Sequence, residues 1–305
     1  MRKKLSRIIA WAVTLGLLGY IFSTVSLAEV ARAITQTAPW TAPVVALLVL
    51  VVYLADSLAI WKTFGWFLTR LTFREVLIVR GASYLLAIIN YALGQGAMVY
   101  FMNRSRGVPL LRGAGAVMLV MGVNVLLLLL LTSCGVALTP DLPPLVTTIV
   151  TVAYAGLAVY VTLQLARPRF LASRALFDIL LGVSLTGHLK AIAVRVPHVL
   201  SLVVLMFACL HGFGIQVPFT HALVFLPIVF FIAVLPISVQ GWGPTQWAMI
   251  TFFSKYAPGN DPRAVVFAAS AFGSVIGIAV QSLIGVICLR NQLARDLGVP
   301  PVRAT

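Results

Sequence analysis

Apolar residues run along the chain in blocks, and short stretches rich in arginine separate them. The blocks cover residues 8–25, 42–60, 76–102, 113–133, 145–165, 196–215, 219–253 and 264–289. A helix that crosses the hydrocarbon of a bilayer needs about 20 mainly apolar residues, so most blocks predict single crossings. Trp40, Trp61 and Trp66 fall at block ends, where interfacial aromatics are expected. Residues 61–74 and 176–195 mix apolar side chains with cations, and both predict amphipathic helices lying on the membrane surface.

Two blocks do not suit a simple crossing. Residues 76–102 are interrupted by Asn90-Tyr91-Ala92-Leu93-Gly94-Gln95-Gly96, and residues 219–253 by the run from Pro236 to Pro244. Broken helices are tolerated at membrane depth where protein or water covers the freed backbone. Each block therefore predicts a re-entrant hairpin, the first turning near Gly94.

Charge supports the hairpins. There are 22 Lys and Arg against 7 Asp and Glu, a formal net charge of +15. If residues 76–102 crossed once, Arg104, Arg106, Arg112, Arg167, Arg169 and Arg174 would lie outside, against the positive-inside bias. With both blocks re-entrant, the cations of the N-terminus, of residues 62–74, 104–112 and 167–195, and of the tail all fall inside. Only Arg32, Lys255 and Arg263 then lie outside, and Arg80 lies within the membrane. The arrangement has six crossings and two opposed hairpins, with both termini cytoplasmic. The cluster Arg2–Arg7 then precedes a retained first span, not a cleaved signal peptide.

The glycine motifs Gly94-Gln95-Gly96 and Gly241-Trp242-Gly243 are offset by 147 residues, and the same offset overlaps other spans. This predicts an all-α membrane bundle with inverted repeats over 1–144 and 145–290 and a cytoplasmic tail from 291 to 305.

Composition narrows the function classes. The chain is 61% hydrophobic and 10% charged, with a mean hydropathy of +1.05. No polar stretch is long enough to fold as a water-soluble catalytic domain. The basic balance fits loops facing anionic lipid; without interleaved aromatics on a basic face, no nucleic-acid partner is expected. Cys134, Cys209 and Cys288 are read as packing residues, and the four histidines lack metal-ligand spacing. No phosphate loop or nucleophile elbow occurs. Neither a metal nor another cofactor is expected, and with no acid or histidine placed at the midplane, neither is enzymatic activity.

Polar groups inside the apolar blocks are the better candidates, because each is costly there unless paired or used. Arg80 could hold a lipid phosphate or snorkel to the surface, and Asp56 could be its partner or a proton carrier. Asn124 is read as interhelical glue. At the hairpin tips, Asn90, Gly94, Gln95 and Gly96 would face Ser238, Gln240, Gly241, Gly243 and Gln246. A helix break there exposes free N–H groups suited to an anionic headgroup.

These segments resemble the lysylphosphatidylglycerol synthase transmembrane, or flippase-like, family of bacterial inner-membrane proteins. Asn90 to Pro109 is similar to the family's first hairpin and its basic exit. Leu235 to Gln246 is similar to its Leu-Pro-Ile-Ser and Gly-x-Gly signature. Ala97, Met98 and Val99 stand where members commonly carry an acid and then an arginine, and Gln246 where they carry a glutamate. The resemblance therefore implies more neutral recognition here. Family synthases also bear a soluble aminoacyl-transferase domain, which a chain ending at Thr305 is expected to lack.

Together these expectations describe an inner-membrane protein that binds or translocates an amphiphilic lipid, phospholipid or polyprenyl-linked. Two other classes stay open: a non-transporting partner of a membrane glycosyltransferase or lipid synthase, and a small-solute carrier. The sequence leaves oligomeric state and lipid identity unspecified.

Overall fold

The computed structural model describes residues 2–140, 142–235, 238 and 241–296, and every regular element among them is helical. The first helix, α1 (Arg2–Thr24), turns by 87° into the short α2 (Leu27–Thr35). The bend is fixed at Ser26. Its hydroxyl caps α2 at the Glu29 N–H, and its own N–H donates to Asp261 Oδ2 at 3.0 Å. Sequence patterning did not anticipate α2.

Next come α3 (Thr41–Phe67), α4 (Phe73–Ala87), α5 (Tyr91–Arg106), α6 (Leu110–Leu138) and α7 (Pro144–Ala166). The short α8 (Arg169–Ala172) and α9 (Asp178–Gly182) lead to α10 (Leu185–Gly212). The chain ends with α11 (Phe219–Val234), α12 (Pro244–Phe253), a 3-10 turn at Ser254–Tyr256, and α13 (Pro262–Asp296). Helices α3, α6, α7, α10 and α13 are long and apolar enough to cross a membrane, and bent α1–α2 makes a sixth. The protein is an all-α polytopic membrane bundle.

Two ends of this bundle are set by α3 and α10, which run antiparallel in close contact. Gly187 sits against Phe67 at one end, and Gly212 against Thr41 at the other. A side chain at Gly212 would collide with Thr41, so the helices approach this closely only because glycine stands there. The Phe67 end carries Lys62, Arg70, Arg74, Arg104, Arg106 and Arg112 and is the cation-rich end.

The first hairpin enters from that end. Thr72 opens α4 with a reciprocal capping box: its hydroxyl accepts the Glu75 N–H, and Glu75 Oε2 accepts the Thr72 N–H at 2.8 Å. Helix α5 returns to the same end and stops at Gly107, whose φ of +66° favours glycine. The turn is not at Gly94 as expected. It falls at residues 88–90, where Asn90 takes an extended conformation and its Oδ1 caps α5 at the Ala92 N–H, 2.9 Å away. Gly94 lies one turn further along, buried against Ala87 of α4, and its missing side chain lets the two arms touch.

The second hairpin enters from the opposite end. The Phe225 ring of α11 stacks on Phe252 of α12 with centroids 4.7 Å apart, and His221 meets Tyr256 at 5.6 Å. The Gln216 N–H donates to the Tyr256 carbonyl at 3.1 Å, closing the base. Pro236 and Gln240 lie outside the described residues of the break.

Neither expected surface helix forms as such. Helix α3 continues through Trp61 to Phe67, and Trp61 Nε1 donates to the Leu71 carbonyl at 2.8 Å, tying down the link into α4. Residues 185–195 belong to α10, so Arg195 lies inside the bundle and does not count toward the cation-rich surface. Of α7, Val146 alone is buried; it is tethered through Tyr160 to His188 (2.7 Å) and through Gln164 to the Val183 carbonyl (2.5 Å).

Candidate functional site

The hairpin tips meet. Asn90, Tyr91 and Ala92 of the first face Ala233, Val234, Leu235, Ser238 and Gly241 of the second, around a narrow cleft with room for little more than a water molecule. At 1.5 Å per residue α4, α5 and α11 are about 22–24 Å long and α12 about 15 Å, enough to reach the middle of a bilayer core of about 30 Å from either side.

The sequence-selected tip residues take different roles. Ser238 is buried, and among the described residues its hydroxyl has no hydrogen-bond partner. Gly241, at φ +78°, packs against Ala233 and the Thr245 hydroxyl. Gly243, at φ +91°, lies against Thr14 and Leu17 of α1. Gln246 is buried and turns back to its own helix, its Oε1 accepting the Gly243 N–H at 2.8 Å. Gln95 is buried beside Tyr91, whereas Gly96 is exposed with open space beside it. Gln240 lies outside the described residues.

Next to the tips lies a buried ionic cluster. Asp56 on α3, 1% exposed, accepts from Arg80 Nε of α4 at 2.5 Å through Oδ2, and from Arg195 Nη1 of α10 through Oδ1. Arg195 Nε donates to Asn124 Oδ1 of α6 at 3.1 Å. The His198 ring lies 4.0 Å from Asp56 and contacts the Val52 carbonyl at 3.3 Å. Arg80 stands over the Tyr84 ring at 4.8 Å. One carboxylate thus ties α3 to α4 and α10, and Arg195 extends the network to α6. Counting along α3, Asp56 lies about 16 Å from the cation-rich end, near mid-bundle.

Arg80 is therefore neither snorkelling nor alone: Asp56 is its partner. Arg195 and His198 were missed, and with Asp56 they put an acid and a histidine at the depth where none had been placed. The cluster borders the tips through Tyr91, which lines the cleft and interacts electrostatically with Arg80, Arg195 and Asp56.

At the hairpin base, Arg106 Nη2 meets Glu75 Oε1. Partial burial raises the Glu75 pKa, but the Thr72 N–H and hydroxyl and the Arg106 guanidinium outweigh it and hold the carboxyl below its ordinary range.

A sequence model of the lysylphosphatidylglycerol synthase TM region matches residues 7–285. The chain belongs to this family. None of the curated proteins matches it. The stretch that assigns it to the lysylphosphatidylglycerol synthase transmembrane family takes in both hairpins, the ionic cluster and most of α13.

Proposed function

We propose that this family member moves or holds an amphiphilic lipid between the leaflets of a bacterial inner membrane, with the cation-rich end in the cytoplasm and no bond-making step of its own. The observation that carries this reading is the meeting of two oppositely entered hairpins around a cleft with polar groups from both. Broken helices that end near mid-membrane present free backbone N–H groups there, and the buried Ser238 hydroxyl adds a polar group from the second tip. The cleft is too small for a headgroup as it stands, so the tips have to part for passage. The headgroup would travel along the tips while the acyl chains stay in lipid.

A fluorescent-lipid quenching assay in proteoliposomes tests this. Outer-leaflet dye is reduced chemically, and the protected fraction falls faster when the protein exchanges lipid between leaflets. Quenching no faster than in protein-free vesicles for phospholipid and polyprenyl-linked probes alike, with an active control flippase, overturns the proposal. The second reading, a non-transporting partner of a membrane enzyme, draws on α7, whose outward face offers a neighbouring helix an extended apolar surface. It predicts co-purification with such an enzyme and unchanged function after Gln95→Ala or Gln246→Ala.

A further inference from the structure

The cluster beneath the tips is unbalanced. Two guanidiniums converge on one carboxylate, all three at least nine-tenths buried. The other acids with described side chains, Glu29, Glu75, Asp178 and Asp261, make their contacts at the bundle ends. One positive charge is therefore left over at mid-bundle, where an unmatched charge is expensive.

Donors are left over as well. A guanidinium carries five N–H groups. Arg195 uses Nε on Asn124 and Nη1 on Asp56; Arg80 uses Nε on Asp56, and its Nη1 reaches only Ser83 Oγ, 3.5 Å away. Among the described residues, Nη2 of neither arginine makes a hydrogen bond. Planar guanidinium forks match the paired oxygens of a phosphate, and Asp56 already places two carboxylate oxygens where such oxygens would sit.

We propose that Arg80 and Arg195 form the seat for the phosphate of a net-anionic membrane lipid, with Asp56 as a resident stand-in that releases one or both guanidiniums when the phosphate arrives. This rests on the reading that an amphiphile enters between the hairpins, and it names the class: an anionic headgroup is preferred over a zwitterionic one. Tyr91 supplies the continuity, since it lines the cleft and lies within electrostatic range of both arginines. Asn124 fixes the Arg195 fork by occupying its Nε, which leaves the outer edge free to turn. Asp56 is then a positioning residue that keeps the two cations close enough to share one anion.

The test is lipid binding to the purified full-length protein in neutral detergent, with fluorescent phosphatidylglycerol and phosphatidylcholine analogues and with glycerol 3-phosphate as the soluble arm. Wild type should prefer the anionic analogue by about tenfold or more, a scale typical of one well-paired charge. Asp56→Asn, which frees both arginines, should bind the anionic analogue more tightly still. Its melting temperature should rise with phosphatidylglycerol but not with phosphatidylcholine. Arg195→Gln, which leaves a neutral Asp56–Arg80 pair, should fold and bind the two analogues equally, and it carries the test if Asp56→Asn does not fold. Glycerol 3-phosphate should compete only weakly. If it binds as well as the lipid, the seat serves a free anion and the proposal is overturned. If both analogues bind equally to wild type and Arg195→Gln changes nothing, the seat is disproved while the hairpin reading stands. If neither analogue binds, both fall.

Discussion

Arg106 Nη2 lies 2.5 Å from Glu75 Oε1, although 31 residues separate them in sequence. A helix running straight from Glu75 would carry Arg106 about 46 Å away at 1.5 Å per residue. The ion pair therefore marks a chain that goes into the bundle and comes back to where it started.

Side-specific labelling reports this directly. With Cys134 replaced by Ser, single cysteines at the exposed positions Arg74 and Ser105 should react with a membrane-impermeant thiol reagent from the same side in sealed vesicles. Labelling from opposite sides would mean that residues 73–106 cross the membrane once.

The pair and its capping box also predict a pH dependence. Glu75 has a lowered pKa in the folded protein, so its contribution is complete above the unfolded-state value and lost as pH falls through the folded one. Glu75→Gln should lower stability at neutral pH by about 1 kcal/mol, the scale of one cap plus one exposed ion pair. Wild type and variant should converge in thermal midpoint as the pH is lowered into the acid range. A gap that stays constant with pH would refute the assignment.

Gly94 and Gly96, two residues apart, should answer substitution oppositely. Gly94→Leu forces a side chain into Ala87 and should cost about 1–3 kcal/mol, as overpacking does. Gly96→Ala meets open space on a helix and should be neutral or stabilising by up to about 1 kcal/mol. Thermal unfolding in detergent measures both.

The tips offer a further handle. Ala92→Cys and Ser238→Cys line one cleft, so a short bifunctional thiol reagent should join them within a single chain. If lipid exchange requires the tips to part, the cross-link should abolish it, and cleaving a reducible linker should restore it. Exchange at full rate in the cross-linked protein would show that the tips do not gate passage.

Much of the architecture was legible because bilayer thickness and cation bias act on the chain as a whole. The block at residues 76–102 could not be a simple span without placing Arg104, Arg106 and Arg112 on the wrong side, and the hairpin follows from that. Reading glycine as the breaking signal puts its turn too late in the chain. Asn90, two residues after α4 reaches its cap at Ile88, is the better stop, since its side chain caps the helix that follows. Gly94 is used for close packing instead.

Arg195 shows the limit of counting charges. Every arginine beside an apolar block was treated as a surface cation, yet this one lies ten residues into α10, facing Asp56. A signal was present: Asp56 stands amid an apolar span, and a buried carboxylate requires a cation from somewhere. Arg80 supplied one candidate, and nothing local indicated a second 139 residues away. The residue type of Gln246 could not reveal that its amide oxygen is spent on the Gly243 N–H.

Gly243 has no side chain to hold α1 at a distance, and the Thr14 backbone and Leu17 Cβ occupy the space such a side chain would need. The second tip is thus wedged, with the first hairpin on one flank and the N-terminal helix on the other. Close-packed interiors change between discrete arrangements and do not stretch. Any separation of the two tips must carry α1 along or draw the first hairpin aside, which gives the N-terminal helix the part of a latch.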